Sequence, residues 1–362
     1  MLRPYLEFLL FSVSDELTLL KNAKDVDWEV MLQWAEEQAI VGVIYDGIQK
    51  AGKSLNIPFD TLMEWIGYAS LIEAQNRVVN DRCIKIVEQF KNVGYHCWIL
   101  KGQGNAMMYP QPLLRTPGDI DVYVLLKDQK EQKELIRYVR MENPHAKACY
   151  HHIDYGLFGD VEVEVHYRPS FLNNLMYNHR LQKWFECHIE NTEIIEMPEE
   201  AGSIRIPNWE FNVVFQLAHI YNHIIHEGIG LRQIIDYYYL LKNEECRVKN
   251  EESSISRTIV LEHLGLTKIA GAVMWVLKEV LGLEEKYLIA PVDERRGMFL
   301  QNEILLGGNF GQYDNRVNRQ GGQLNANINR LKRDVRLVRY FPSECLWEPV
   351  FRLWHYFWRV TH

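Results

Sequence analysis

Asp119 and Asp121 stand one residue apart in Gly118-Asp119-Ile120-Asp121-Val122-Tyr123-Val124. In an extended strand this alternation sends both carboxylates to one face and Ile120, Val122 and Val124 to the other. Side-by-side carboxylates repel unless a cation lies between them, and an all-oxygen site suits Mg²⁺ (or Mn²⁺), which leaves room for water and phosphate oxygens. Ahead of the pair runs Leu100-Lys101-Gly102-Gln103-Gly104. Glycines at such a turn let a phosphate approach the backbone, and Lys101 adds a cation. Alone, a D-x-D strand is an ordinary exposed edge and a G-x-G an ordinary turn. Their strand, turn, helix, strand order is what points to phosphate chemistry.

The elements that must position these residues follow from periodicity. Trp98-Ile99-Leu100 reads as a short buried strand, and Asn105-Ala106-Met107-Met108-Tyr109 as a helical stretch stopped by Pro110. Val161-Glu162-Val163-Glu164-Val165-His166-Tyr167 alternates strictly and puts Glu162, Glu164 and His166 on one face. One of those glutamates completes a set of three carboxylates; without the aspartates, the same strand would read as a half-exposed edge with a solvated face. A helix is expected over Gln129–Met141, with strands at Cys149–Tyr155 and Val161–Tyr167.

Taken together, Leu100-Lys101-Gly102, Arg115, Gly118-Asp119-Ile120-Asp121, Glu164-Val165-His166 and Leu231-Arg232-Gln233-Ile234-Ile235-Asp236 resemble a bacterial nucleotidyltransferase family. That family is similar to the DNA polymerase β-like superfamily, which includes aminoglycoside nucleotidyltransferases, CCA-adding enzymes and small antitoxin-type enzymes. The matching segments span roughly residues 30 to 240. The resemblance implies an α+β fold: a polymerase β-like core with a mixed sheet and helices, flanked by N- and C-terminal helical regions. It also implies two-metal transfer of a nucleoside monophosphate from an NTP to a hydroxyl of a small-molecule, sugar or protein acceptor. Asp119, Asp121 and Glu164 would be the catalytic metal ligands, Glu164 also drawing the proton from the attacking group. Lys101, Gly102, Gln103, Gly104 and Arg115 would bind the nucleotide. The superfamily turn usually reads Gly-Ser or Gly-Gly, whereas here Gly102-Gln103-Gly104 follows a lysine.

The rest of the chain bounds the setting. Its 362 residues, 47% of them hydrophobic, suit several packed units, drawn here as a helical region over 1–94, an α/β core over 95–207 and a helical region over 208–362. A net charge of −8 argues against a general nucleic-acid binder. The cysteines at 83, 97, 149, 187, 246 and 345 form no C-x-x-C and read as free thiols in a reducing cytoplasm. The opening Tyr5–Val13 stretch carries Glu7 and is followed by Asp15-Glu16, unlike a signal peptide, and no transmembrane segment is expected.

In the last region His219, His223 and His226 share a helix face, and Arg232 and Asp236 follow at helical spacing. The expectation is a helix packed on the core, with His219 or His223 oriented by Asp236 and facing the acceptor. The alternative is a His/Asp metal phosphohydrolase. A further alternative keeps the fold as a catalytically silent binding scaffold. Arg316, Arg319, Arg330, Lys332, Arg333, Arg336 and Arg339 crowd a segment whose Gly307-Gly308-Asn309, Gly311 and Gly321-Gly322 suggest a loop before a helix. They read as a solvated basic face, or as a field steering NTP or a phosphorylated acceptor. The aromatic run from Trp347 to Trp358 reads as a docked C-terminal helix in preference to a membrane-interface anchor.

Overall fold

The acidic segments meet in one small mixed sheet. The computed structural model describes residues 2–14, 23, 25–190, 192–243, 254–317, 319 and 322–361. Asp15-Glu16, Cys246 and Gly321 lie outside the described residues. The sheet is formed by β1 (Cys97–Leu100), β2 (Ile120–Val124), β3 (His152–Asp154) and β4 (Val163–His166), in the spatial order β1-β2-β4-β3. β2 runs antiparallel to β1 and parallel to β4, while β3 pairs antiparallel with β4. The register sets Asp121 beside Glu164 and Tyr123 beside His166. Because side chains alternate at every residue, a slip of one position would send the carboxylates into the core.

The opposite face of the sheet is apolar: Ile120, Val122, Val124, Val163 and Val165 pack with Val79, Cys83, Ile86 and Phe90. Those last four belong to α4 (Phe59–Asn92), whose buried residues Trp65, Ala69, Asn76, Val79, Cys83, Ile86 and Phe90 recur at three- and four-residue intervals. α1 (Arg3–Ser14), α2 (Trp28–Glu37) and α3 (Val41–Ala51) precede α4. The short α5 (Gly102–Ala106) follows β1, and α6 (Gln129–Glu142), capped by the Asp128 carboxylate, follows β2. The helix expected over 105–109 therefore starts earlier, at Gly102, and ends at Ala106. The strand expected over Cys149–Tyr155 contracts to His152–Asp154, where pairing with β4 is regular.

α7 (Leu175–His188), capped by Asn174, leads to the β5 (Thr192–Glu196) and β6 (Ser203–Pro207) hairpin. Next come α8 (Trp209–His226), α9 (Leu231–Lys242), α10 (Ser254–His263), α11 (Thr267–Leu281), α12 (Glu294–Gly307), α13 (Gln323–Leu337) and α14 (Pro342–Thr361). The helices before and after the sheet share one apolar core, in which Phe8, Leu9 and Phe11 of α1 join Phe215, Ile234, Val273 and Leu277. Each fully buried side chain of this kind contributes about 1.5–3 kcal/mol. The C-terminal helix docks through Phe351, which stacks on Phe171 at 4.8 Å, while Leu346, Leu353 and Phe357 are exposed. No helix among the described residues is long and apolar enough to cross a membrane.

Candidate functional site

Asp119, at the entrance to β2, and Asp121 within it meet Glu164 of β4 so that one carboxylate oxygen from each lies within 4.8 Å of the others. Asp121 is 1% exposed. Its Oδ1 lies 2.9 Å from His166 Nε2, which is also 3.2 Å from Glu164 Oε2. Among the described residues its buried Oδ2 has no donor in hydrogen-bond geometry. Lys101 Nζ is 3.1 Å from that oxygen, close enough for an ion pair but outside hydrogen-bond geometry. A divalent cation fits this set, because three hard oxygen donors converge and one of them is buried without a donor.

The electrostatics agree with one another. Asp121 pushes the neighbouring Asp119 carboxyl up, and burial adds to the effect. Burial opposes ionisation of Asp121, but Lys101 and His166 hold its carboxyl below the usual range. The same balance acts on Glu164, where burial is outweighed by His166 and His152. Burial also opposes the charge on His152, yet Asp154, Cys149 and Glu164 push it up to about 11. Glu164 Oε2 lies 3.2 Å from His152 Nδ1.

A polar chain crosses the cleft from the sheet to α8. Lys101 Nζ is 3.0 Å from His219 Nε2, which is 2.8 Å from His223 Nε2. His223 Nδ1 is 3.2 Å from Glu227 Oε2. Burial, with Lys101 beside it, drives the His219 imidazole well below its ordinary value, so its ring is neutral and accepts from the ammonium. Lys101 itself has φ +34°, in the left-handed region that non-glycine residues rarely occupy. This backbone turns the ammonium back over β2.

The chain borders a cavity of about 660 Å³ lined by Lys101, Asp119, Glu162, Glu164, His166, His219, His223 and Arg232. That volume lies within the range of small-molecule sites. Glu162 is exposed at its edge, outside the three-carboxylate group. Arg232 is buried, donates to the carbonyl oxygens of Thr116 and Pro117, and lies over the Phe310 ring at 5.5 Å. Gly118 accommodates it: a Cβ there would stand 3.3 Å from the guanidinium.

The turn at 101–104 divides in two. Lys101 and Gly102 border the cleft, with Gly102 at φ +46° and almost nothing around a Cβ position. Gln103 is buried and donates to the side-chain oxygens of Asn76 and Asn80 on α4. Gly104 backs onto Ile206 of the hairpin, where a Cβ would approach to 3.0 Å. The nucleotide role expected of all four residues is thus limited by geometry, since the Gln103 side chain holds the scaffold. Arg115 is similarly committed: its Nε and Nη2 each reach an Asp236 oxygen at 2.7 Å, and Tyr109 donates to the same carboxylate at 2.6 Å. Asp236 therefore orients Arg115 and Tyr109, not His219 or His223 as expected. Those histidines belong to no group of metal-capable side chains among the described residues.

Other residues of the cavity carried weaker signals in the sequence. His151, His152 and Phe171 line it from the segments around β3 and β4, and Phe310 from the loop after α12. The His151-His152 doublet and the glycines around Phe310 were the available clues. Gly311 passes so close to α8 that a Cβ would lie 2.3 Å from the Glu227 carbonyl oxygen, and a Cβ on Gly308 would lie 2.7 Å from that of Glu37. These backbone contacts hold Phe310, at φ +52°, in the cleft.

No curated protein matches the chain. Among solved structures, an antigenic nucleotidyltransferase-like protein from Paracoccidioides brasiliensis aligns with 52% of this chain and 92% of its own, at 11% identity and a TM-score of 0.31. Residues 24–282 match the family described as uncharacterised nucleotidyltransferase, and the chain belongs to that family.

Proposed function

We propose that this protein transfers a nucleoside monophosphate from an NTP to a hydroxyl of its acceptor, using Asp119, Asp121 and Glu164 to hold Mg²⁺ or Mn²⁺. The observation that carries this reading is the buried Asp121 Oδ2, without a hydrogen-bond donor beside two further carboxylates, in a chain of this family. When bound, the ions would supply charge neutralisation at the α-phosphate and the leaving pyrophosphate. In the transfer the acceptor oxygen bonds to the α-phosphorus, the bond to the β-phosphate oxygen breaks, and pyrophosphate leaves with the electron pair.

The chain's own groups have distinct tasks. Lys101 and Arg232, both close enough to act on Asp119, present cations to the polyphosphate. Glu164, part-exposed toward the larger cavity, takes the hydroxyl proton. His219 fixes the Lys101 ammonium, and His166 holds Asp121 and Glu164 together.

The test is transfer of label from α-³²P-NTPs, with pyrophosphate release, in the presence of Mg²⁺ or Mn²⁺ and candidate hydroxyl acceptors. Asp119→Asn and Asp121→Asn should abolish both signals, and unchanged turnover in both variants would refute the reading. A second reading, a silent binding scaffold, is favoured by one observation: Lys101 and His166 already neutralise Asp121. Tight nucleotide binding without pyrophosphate release under every condition would select it.

A further inference from the structure

Beyond His226 the catalytic cavity adjoins a second one of about 480 Å³, and the two share that histidine. Its walls include Arg319, Arg330 and Arg333. Ala326, Asn329, Arg330 and Arg333 fall at helical spacing on one face of α13. The arginines of this stretch divide sharply. Arg316 and Arg336 each bind Glu303 and approach Asp314, so their charges are neutralised. Arg319 instead donates to the backbone carbonyls of Gly311 and Asp314, and Arg330 lies 3.8 Å from Glu348. Arg333 makes no ion pair among the described residues and borders the cavity, with Asp334 and Glu227 as acidic neighbours that attract it. A protein with net charge −8 thus borders this cavity with the Arg319 and Arg333 guanidinium groups, neither in ion-pair contact with a carboxylate among the described residues. Arginine's planar fork matches phosphate oxygens.

We infer that this second cavity is an anion subsite that anchors a phosphate group of a small acceptor, whose hydroxyl extends past His226 to the carboxylate cluster. The assignment of the ligand as acceptor rests on the transferase reading; the anion site itself does not. The span suits a small molecule: His219 and His226 are seven residues apart on α8, about 10 Å along its axis. A phosphorylated hexose, or a polyol of similar length, approaches that distance when extended, with its phosphate in the arginine cavity.

The first arm of the test needs neither nucleotide nor metal. Inorganic phosphate is titrated calorimetrically into the full-length protein, with the melting temperature of every variant recorded. Wild type should bind in the millimolar range or tighter, with at least tenfold weakening in Arg333→Gln and Arg319→Gln. Arg333→Lys should retain part of the affinity, and Arg336→Gln, whose charge is paired with Glu303 outside this cavity, all of it. If Arg333→Gln does not fold, Arg319→Gln and Arg330→Gln carry the same measurement. Absence of phosphate binding, undiminished binding in Arg333→Gln and Arg319→Gln, or loss confined to Lys101→Gln would overturn the site.

The second arm compares phosphorylated sugars with their dephosphorylated counterparts as acceptors of labelled nucleotide. A tenfold or larger fall in kcat/KM for the phosphorylated set in Arg333→Gln, with NTP affinity unchanged, supports the anchor. Equal use of both sets, or labelling only of a nucleic-acid or protein acceptor, overturns it. Arginine-dependent phosphate binding without any NTP turnover would keep the anion site and remove the transferase reading.

Discussion

Two clusters of buried charge lie close enough for Asp119 to act on Arg115, yet they are built on opposite principles. In the Arg115, Asp236 and Tyr109 cluster the cation faces its carboxylate in a fork and the phenol completes the set. In the Asp119, Asp121 and Glu164 cluster three carboxylates converge with no fork closing on any of them, and among the described residues one Asp121 oxygen lacks a donor in hydrogen-bond geometry. Closed charge of the first kind holds a structure together once formed, since removing one partner leaves the other stranded. Open charge of the second kind is costly in the folded chain and reads as function. Arg232 sharpens the contrast, because it lies near Asp236 yet spends its hydrogen bonds on backbone carbonyls and keeps its charge for the cleft.

The strongest way to break the comparison is to open the closed cluster. Asp236→Ala should destabilise the fold by about 3–5 kcal/mol, as is usual when a buried ion pair loses one member. A denaturant midpoint near that of wild type would show that Asp236 is not structural. Filling the open cluster should have the opposite sign. Mn²⁺ at a hundred times its dissociation constant should add about 2.7 kcal/mol by mass action, and Asp121→Asn should cancel the gain. Thermal melts with and without the ion measure both.

A third buried carboxylate lies between the two types. Glu344 accepts from the backbone N–H groups of Asn173 and Asn174 but pairs with no cation among the described residues, and burial pushes its carboxyl up to about 7. The folded state therefore keeps a proton that the unfolded chain releases from about 4.5, its ordinary value. Its contribution is fully present below that pH and is lost as pH rises toward 7, by about 2–3 kcal/mol. Glu344→Gln should flatten this part of the stability profile, and an unaltered slope between pH 4.5 and 7.5 would discount it. The smallest effect belongs to Gln103. Replacement by Ala should cost about 1–2 kcal/mol through the stranded Asn76 and Asn80 groups, while leaving NTP affinity unchanged.

Strand alternation made part of the open cluster legible. It puts Asp119 with Asp121 on one face and Glu162 with Glu164 on one face of a second strand, but only the register of β2 against β4 brings Glu164 beside Asp121. Periodicity gave the separate strands and helices, and the family resemblance implied their assembly into a mixed sheet with flanking helices. Partner choice was not legible. Asp236 and His219 lie on consecutive helices, and only the packing of α9 against α5 shows that Asp236 serves Arg115. Gln103 follows the same logic, since its contacts with Asn76 and Asn80 depend on where α4 crosses the turn. The basic run in 316–339 looked uniform, and only the fold distributes the carboxylates of Glu303, Asp314 and Glu348 among its members.

The contacts of Gly308 and Gly311 make the cleft a gauge set by main chain. Backbone bears directly on backbone there, so the opening between α8 and the Phe310 loop keeps its width whatever residues line it. Substitutions along the walls can then change which molecule is held without changing how far apart the walls stand. Selectivity and aperture become separately tunable, so new acceptor preferences can be sought by altering wall residues alone, with the glycines left in place.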